Sequence, residues 1–120
     1  MPRFSANLSM LFAELDFLDR FAAVGAPNLD LQYDIYHLQI MEGDLAPTIE
    51  RNLGRIGHIQ IADNPGRHEP GSGEINYGFL FQFLDRIGYE GWIGCEYKPR
   101  ATTTEGLGWF APYAHRGDTA

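Results

Sequence analysis

The sequence predicts an α/β fold built on about four parallel strands, and two observations carry that expectation. Three apolar runs, residues 29–37 (LDLQYDIYH), 57–63 (GHIQIAD) and 92–98 (WIGCEYK), read as buried strands, and the segments between them have helical periodicity. Alternation of strands and helices makes a parallel sheet. Each run also carries polar residues toward its end: Asp34 and His37 in the first, Gln60 in the second, Glu96 in the third. The C-termini of parallel strands lie on one side of the sheet, so these side chains can converge there.

The elements follow in order. Residues 3–8 alternate Phe4, Ala6 and Leu8 and read as a short strand. Residues 12–23 place Leu15, Leu18 and Ala22 on one face, away from Asp16, Asp19 and Arg20, as an amphipathic helix does. That helix stops before Gly25-Ala26-Pro27-Asn28. In the strand that follows, Leu29, Leu31, Tyr33 and Ile35 share one face, and Gln32, Asp34 and Tyr36 the other. Asp44 is placed to cap the next helix, whose first turn tolerates Pro47 and whose buried stripe is Leu45, Ile49 and Leu53.

In the second run His58, Gln60 and Ala62 share a face opposite Ile59 and Ile61. Residues 63–76 (DNPGRHEPGSGEIN) form a long polar loop, and a loop of this length at a strand C-terminus is often functional. Asn76 suits the cap of a helix over Tyr77–Ile87, with apolar Tyr77, Leu80, Phe81, Leu84 and Ile87 and with Gly88 at its end. Trp92, Gly94 and Glu96 share a face of the third run. Thr102 and Glu105 have capping-box spacing for a last helix through Phe110, shortened by Gly106, Gly108 and Pro112. Residues 115–120 are expected to fray.

With 120 residues the chain can form one domain with a real core. Its net charge of −7 argues against binding a phosphate backbone, which takes clustered Lys and Arg. Cys95 is the one cysteine, so no disulfide can form within the chain. The opening MPRFSANLSMLF does not read as a signal peptide, and no run approaches the roughly 18 apolar residues of a membrane helix. A cytoplasmic protein is expected.

Asp34, Gln60 and Glu96 offer oxygen donors only, which favours hard divalent cations such as Mg²⁺ or Mn²⁺. The alternative is a set of buried polar residues that satisfy one another, and a Glu96–Lys98 ion pair is a rival account of Glu96. His37, one helical turn beyond Asp34, could orient a ligand or hold a substrate hydroxyl, or be a plain loop histidine. Arg67 sits where the loop could close over an anionic substrate, since a guanidinium binds a planar carboxylate through two contacts; otherwise it is a solvated charge. His58 is expected to be a satisfied core histidine and Cys95 a small core residue. Trp92, Trp109, Phe110 and Tyr113 are expected to be packing residues.

At these positions the chain resembles the hydroxypyruvate isomerase family of xylose-isomerase-like TIM barrels. RFSANLSMLF resembles the family's first strand and loop. Asp34-Ile35-Tyr36-His37, HIQIADNPGRHEPGSGEINY, and GYEGWIGCEYKP with EGLGWF resemble the sixth, seventh and eighth strands and their loops. The resemblance implies a barrel enzyme that interconverts hydroxypyruvate and tartronate semialdehyde. In such an enzyme a divalent metal holds the substrate's carbonyl and hydroxyl oxygens, one carboxylate removes the proton between them, and a second helps return it. Glu96 matches one of the family's two metal-binding, catalytic glutamates, Asp34 and Gln60 match two further metal ligands, and His37 and Arg67 match substrate contacts.

A complete barrel needs eight strands and typically about 250 residues. This chain offers four, matching strands one, six, seven and eight: a first strand–helix unit over residues 1–23, the last three units over 24–114, and the tail. Strands two to five, and with them the other catalytic glutamate, have no counterpart. In a closed barrel strand eight neighbours strand one, so the N-terminal strand is expected beside residues 92–97. The expectation is thus a partial TIM barrel acting on a small hydroxy-carbonyl substrate with Mg²⁺ or Mn²⁺, with no nucleic-acid or membrane partner. A homodimer would restore eight strands. A non-catalytic remnant or partner-dependent half barrel is the rival, and a sugar epimerase or a metal-dependent endonuclease of the same superfamily ranks below both.

Overall fold

The computed structural model describes residues 4–6, 14–15, 19–20 and 29–114. Most of the helix expected over residues 12–23 and the whole tail, 115–120, lie outside them. The described residues form a four-stranded, all-parallel sheet from β1 (Phe4–Ala6), β2 (Leu29–Asp34), β3 (Ile56–Ile61) and β4 (Trp92–Cys95). Helices α1 (Ile35–Met41), α2 (Leu45–Asn52), α3 (Tyr77–Ile87) and the short α4 (Thr103–Gly106) connect or follow the strands, and a 3₁₀ segment, Leu107–Tyr113, ends the described chain. The α/β alternation expected from the sequence is therefore present.

The order of the strands differs from expectation. They lie β1-β2-β3-β4, and β1 pairs with β2 (Phe4 opposite Leu29, Ala6 opposite Leu31), not with β4. A closed barrel brings its first and last strands together by running through all the strands between them. Here the sheet is open, and consecutive parallel strands joined by one connection pair as neighbours. Reaching the far side of β4 would carry the chain across three strands spaced about 4.8 Å apart. β1 and β4 are therefore the two edges.

One face of the sheet is buried. Leu31, Tyr33, Ile59 and Ile61 point beneath the helices, where Ile35, Leu38, Ile49, Tyr77, Leu80 and Leu84 complete the core. Burying such side chains contributes about 1.5–3 kcal/mol each. The opposite face, which a closed barrel would turn inward, carries half-buried Gln32, Asp34, His58 and Gln60. On it Trp92 is 82% exposed, which corrects the expectation that Trp92 packs: it stands on an edge strand, with no described strand beyond it. His58 is half-buried and lies over Gly94, where a Cβ would meet its ring nitrogen at 2.6 Å.

Other boundaries shift for local reasons. β2 ends at Asp34, because its carboxylate accepts the N–H of His37 (3.2 Å) and starts α1, so Ile35, Tyr36 and His37 are helical. Asp44 makes no capping bond; it sits in the left-handed region at φ 50° and faces Arg51 at 3.4 Å. Asn76 does cap α3, accepting from the Phe79 N–H at 3.0 Å, and Gly88 ends the helix. The Thr102–Glu105 capping box is present. Trp109 packs beside Phe81 and Tyr97 as expected, and Phe110 against Trp109 and Tyr113 against Phe81 also make ring contacts, although both keep an exposed side. Cys95, expected in the core, is exposed and lines a groove of about 500 Å³ beside Ile93, Trp109 and Phe110. Burial on the groove side still raises its thiol above the usual range.

Candidate functional site

Asp34 and Gln60 pair directly across β2 and β3, Gln60 pairs with Gly94 across β3 and β4, and Glu96 follows two residues after Gly94. All three thus stand at the C-terminal ends of adjacent strands, on the uncovered face. The Glu96 N–H still donates to Ile61 O (3.1 Å), which extends the ladder by one residue and fixes where the side chain starts.

The long loop brings Arg67 into this row. Asp63, fully buried just past β3, accepts the N–H groups of Asn64 (2.9 Å), Gly71 (2.8 Å) and Ile75 (3.0 Å). Gly73 lies so close to the Asn64 carbonyl that any Cβ there would collide with it. The loop is also laced to the segment after β4. Lys98 N–H donates to Arg67 O (2.8 Å), His68 Nδ1 meets Lys98 O (2.7 Å), and Arg100 N–H donates to Glu69 (3.0 Å). Its own backbone N–H, then that of Arg100, hold the Glu69 carboxyl below the usual range. Fixed at both ends, Arg67 takes the left-handed region at φ 59°, a conformation that a non-glycine residue keeps only when its surroundings impose it.

The Arg67 guanidinium gathers the site. Nη2 lies 2.6 Å from Glu96 Oε2 and 3.9 Å from Asp34 Oδ2. Nη1 lies 3.2 Å from His37 Nε2, and Nε donates to the Glu96 carbonyl at 3.4 Å. The guanidinium carbon sits 5.3 Å from the Tyr36 ring centroid, within cation–π range. His37 Nε2 is also 3.7 Å from Asp34 Oδ2. An arginine N–H can only donate, so in this arrangement His37 Nε2 accepts and its ring proton belongs on Nδ1.

Four of the five residues singled out from the sequence, Asp34, His37, Arg67 and Glu96, are therefore in mutual reach. Gln60 stands between them in register, but no described hydrogen bond ties its amide to either carboxylate. The rival account of Glu96 fails, since its partner is Arg67 and not Lys98. Two contributors escaped the sequence reading. Alternation puts Tyr36 on a strand face and not in α1 beside Arg67, and Asp63 reads as the first residue of a loop. The run of acceptor-seeking turn residues after Asp63 was the signal for its role.

The donors suit a hard cation: two carboxylates and an amide oxygen at three adjacent strand ends, with a positive group already seated between the carboxylates. Among the described residues no three His, Cys, Asp or Glu side chains stand close enough to hold a metal ion together. Any such ion would take Asp34 and Glu96 with oxygens from elsewhere, Gln60 being the nearest in register.

A family model described as a xylose isomerase-like TIM barrel matches residues 7–113. The chain belongs to that family. Barrels of this architecture build their sites at the C-terminal ends of the strands, the end where Asp34, Gln60 and Glu96 stand. Among curated relatives, the 2-oxo-tetronate isomerase of Cupriavidus necator is 59% identical over 78% of this chain and 36% of its own length. The hydroxypyruvate isomerase of Escherichia coli is 58% identical over 75% of this chain and 35% of its own length. Among solved structures, a protein titled AP endonuclease, family 2 from Brucella melitensis superposes with a TM-score of 0.75 at 52% identity, over 80% of this chain and 37% of that one. The 3-keto-D-glucoside 4-epimerase of E. coli gives a TM-score of 0.68 at 29% identity, over 79% and 38%. The chain thus spans little more than a third of the length of these relatives. No helix among the described residues is long and apolar enough to cross a membrane.

Proposed function

We propose that this chain carries one side of an isomerase site that moves a proton between the two carbons of a short hydroxy-carbonyl acid, hydroxypyruvate or a 2-oxo-tetronate, with Mg²⁺ or Mn²⁺ bound at Asp34, Gln60 and Glu96. The observation that carries the reading is the meeting of Asp34 and Glu96 on one cationic group at the strand C-termini. The isomerase names of the relatives, which are more than half identical over the matched stretch, support the substrate class.

A bound divalent ion would act as a Lewis acid on the substrate's carbonyl oxygen. Glu96 is the base. Its carboxylate takes a proton from the hydroxyl-bearing carbon beside the carbonyl, and the C–H electron pair becomes the double bond of an enediol as the former carbonyl oxygen takes up the proton that the hydroxyl gives up. The carboxylic acid then returns its proton to the carbon that was the carbonyl, and the other oxygen becomes the new carbonyl. The carbonyl moves one carbon along, and no oxidant or reductant is needed. Because the enediol is planar, one carboxylate on one of its faces can serve both carbons. Arg67 would bind the substrate carboxylate and His37 a hydroxyl.

Turnover of hydroxypyruvate by the purified chain with Mn²⁺, against Glu96→Gln as control, tests this reading. The near-isosteric change should remove turnover and leave the circular dichroism and melting temperature intact. Turnover that survives the substitution would show that Glu96 is not the base.

A second reading rests on the open sheet. Among the described residues β1 and β4 are the sheet's edges and Trp92 is uncovered, so the unit is half a barrel, and a second copy related by a two-fold along the barrel axis would pair β4 of one copy with β1 of the other. All eight strands would then run parallel, the arrangement in which parallel sheets are covered on both faces. Catalysis would then belong to the assembly, and a single chain would be a non-catalytic half. Sedimentation that finds only monomer at all concentrations would remove this version. The endonuclease name belongs to the Brucella protein; a chain of net charge −7 lacks the electrostatics for a phosphate backbone.

A further inference from the structure

We infer that Arg67 is a built-in counter-ion that occupies the place of the divalent cation, and that it must release Glu96 before the cation can bind. This rests on the cation reading above and adds to it the residue that sets the affinity. Arg67 Nη2 contacts both carboxylates that would be ligands, at 2.6 and 3.9 Å, and its other nitrogens are taken by His37 Nε2 and the Glu96 carbonyl. A guanidinium and a divalent ion cannot share the same two carboxylates, because like charges at such distance repel strongly.

The exchange is mechanically simple. The Arg67 backbone stays pinned through its carbonyl to the Lys98 N–H, so only the side chain has to move, and the Tyr36 ring offers it a face 5.3 Å away. The released guanidinium, only 29% exposed in its paired position, then lacks an anion at close range. A carboxylate ligand can fill that role. Cation and carboxylate ligand are therefore expected to bind cooperatively, each favouring the state in which Arg67 has left Glu96.

Mn²⁺ binding to the full chain, followed by calorimetry and by the electron paramagnetic resonance of free Mn²⁺, tests the inference without reference to turnover. Arg67→Gln should bind Mn²⁺ about fourfold more tightly than the unaltered chain, the size expected for losing one competing partly exposed ion pair. Arg67→Lys, which keeps the charge and loses the fork, should fall between them. Lys98→Gln removes an exposed positive charge just beyond Glu96 and should change affinity less than about twofold, as screened surface charges do. Pyruvate should tighten Mn²⁺ binding to the unaltered chain and leave Arg67→Gln unaffected. Equal affinities for the unaltered chain and Arg67→Gln, or an equal gain from Lys98→Gln, would overturn the exchange while leaving the cation site standing. No Mn²⁺ binding by any of the four proteins would overturn the cation site and the exchange together.

Discussion

Asp63 and Ile75 are joined by a 3.0 Å hydrogen bond, from the Ile75 N–H to Asp63 Oδ1, at a point that solvent does not reach. That bond closes the loop that carries Arg67, and the same carboxylate holds Asn64 and Gly71. Two ends of a twelve-residue excursion are thus fixed by one side chain. Asp63→Asn keeps the size but turns an N–H₂ toward the Gly71 N–H or the pair at Oδ1, leaving a buried donor without an acceptor. The expected loss is about 2 kcal/mol by denaturant titration, with proteolytic nicking between Pro65 and Ser72. An unchanged midpoint would show that the loop is held by its other contacts.

Two buried tyrosines make opposite predictions. Burial raises both phenols. The Tyr77 hydroxyl donates to Ala62 O at 2.7 Å, while the Tyr33 hydroxyl is buried without a hydrogen-bond partner among the described residues. Tyr77→Phe should cost about 1 kcal/mol, because it leaves the Ala62 carbonyl less satisfied. Tyr33→Phe removes a desolvated, unpaired hydroxyl and should be neutral or stabilising by up to about 1 kcal/mol. Thermal melts of the two variants read the difference directly. A destabilised Tyr33→Phe would reveal a bridging water.

The sequence carried the strands, the α3 boundaries and the cap at Asn76, because alternation, helical spacing and turn residues are local. It also carried the site row, since Asp34, Gln60 and Glu96 occupy matching strand ends. It did not carry the end of β2. There the single Asp34–His37 capping bond outweighs the β preference of Ile35 and Tyr36, a choice that composition does not decide. Nor did it carry the strand order, because strand one beside strand eight is a property of a closed ring. The exposure of Trp92 follows from the same fact: its residue type promises burial, but the partner surface lies outside an open sheet.

The capping box of α4 gives a pH prediction. The Thr102 hydroxyl, then the Thr102 backbone N–H, hold the Glu105 carboxyl below the ordinary glutamate value. A carboxyl whose folded value is depressed stabilises the helix end fully above its ordinary value, and that contribution disappears as pH falls through the lower, folded value. In an NMR titration Glu105 should therefore protonate below the ordinary glutamate range, and the Thr102 amide should report the same transition. Thr102→Ala should return Glu105 to the ordinary range. If Glu105 titrates in the ordinary glutamate range in the unaltered chain, the box does not persist in solution.

The last prediction concerns the uncovered face. Trp92 stands on edge strand β4, on the same side as His58 and Glu96, and a tryptophan this exposed is a large apolar area left in water. If two copies close into one barrel, β4 of each copy pairs with β1 of the other and Trp92 turns inward at the new seam. Concentrating the chain should then shift tryptophan emission to shorter wavelength as the sedimenting species grows from monomer to dimer. Trp92→Lys places a charge at each of the two seams, where it would be stripped of water, and a buried charge without a partner costs far more than an exposed one. The variant should stay monomeric while keeping the circular dichroism of the single chain, because Trp92 contributes nothing to the core beneath the helices. A Trp92→Lys variant that dimerises as well as the original would place the contact elsewhere, and the free edges would then need a different cover.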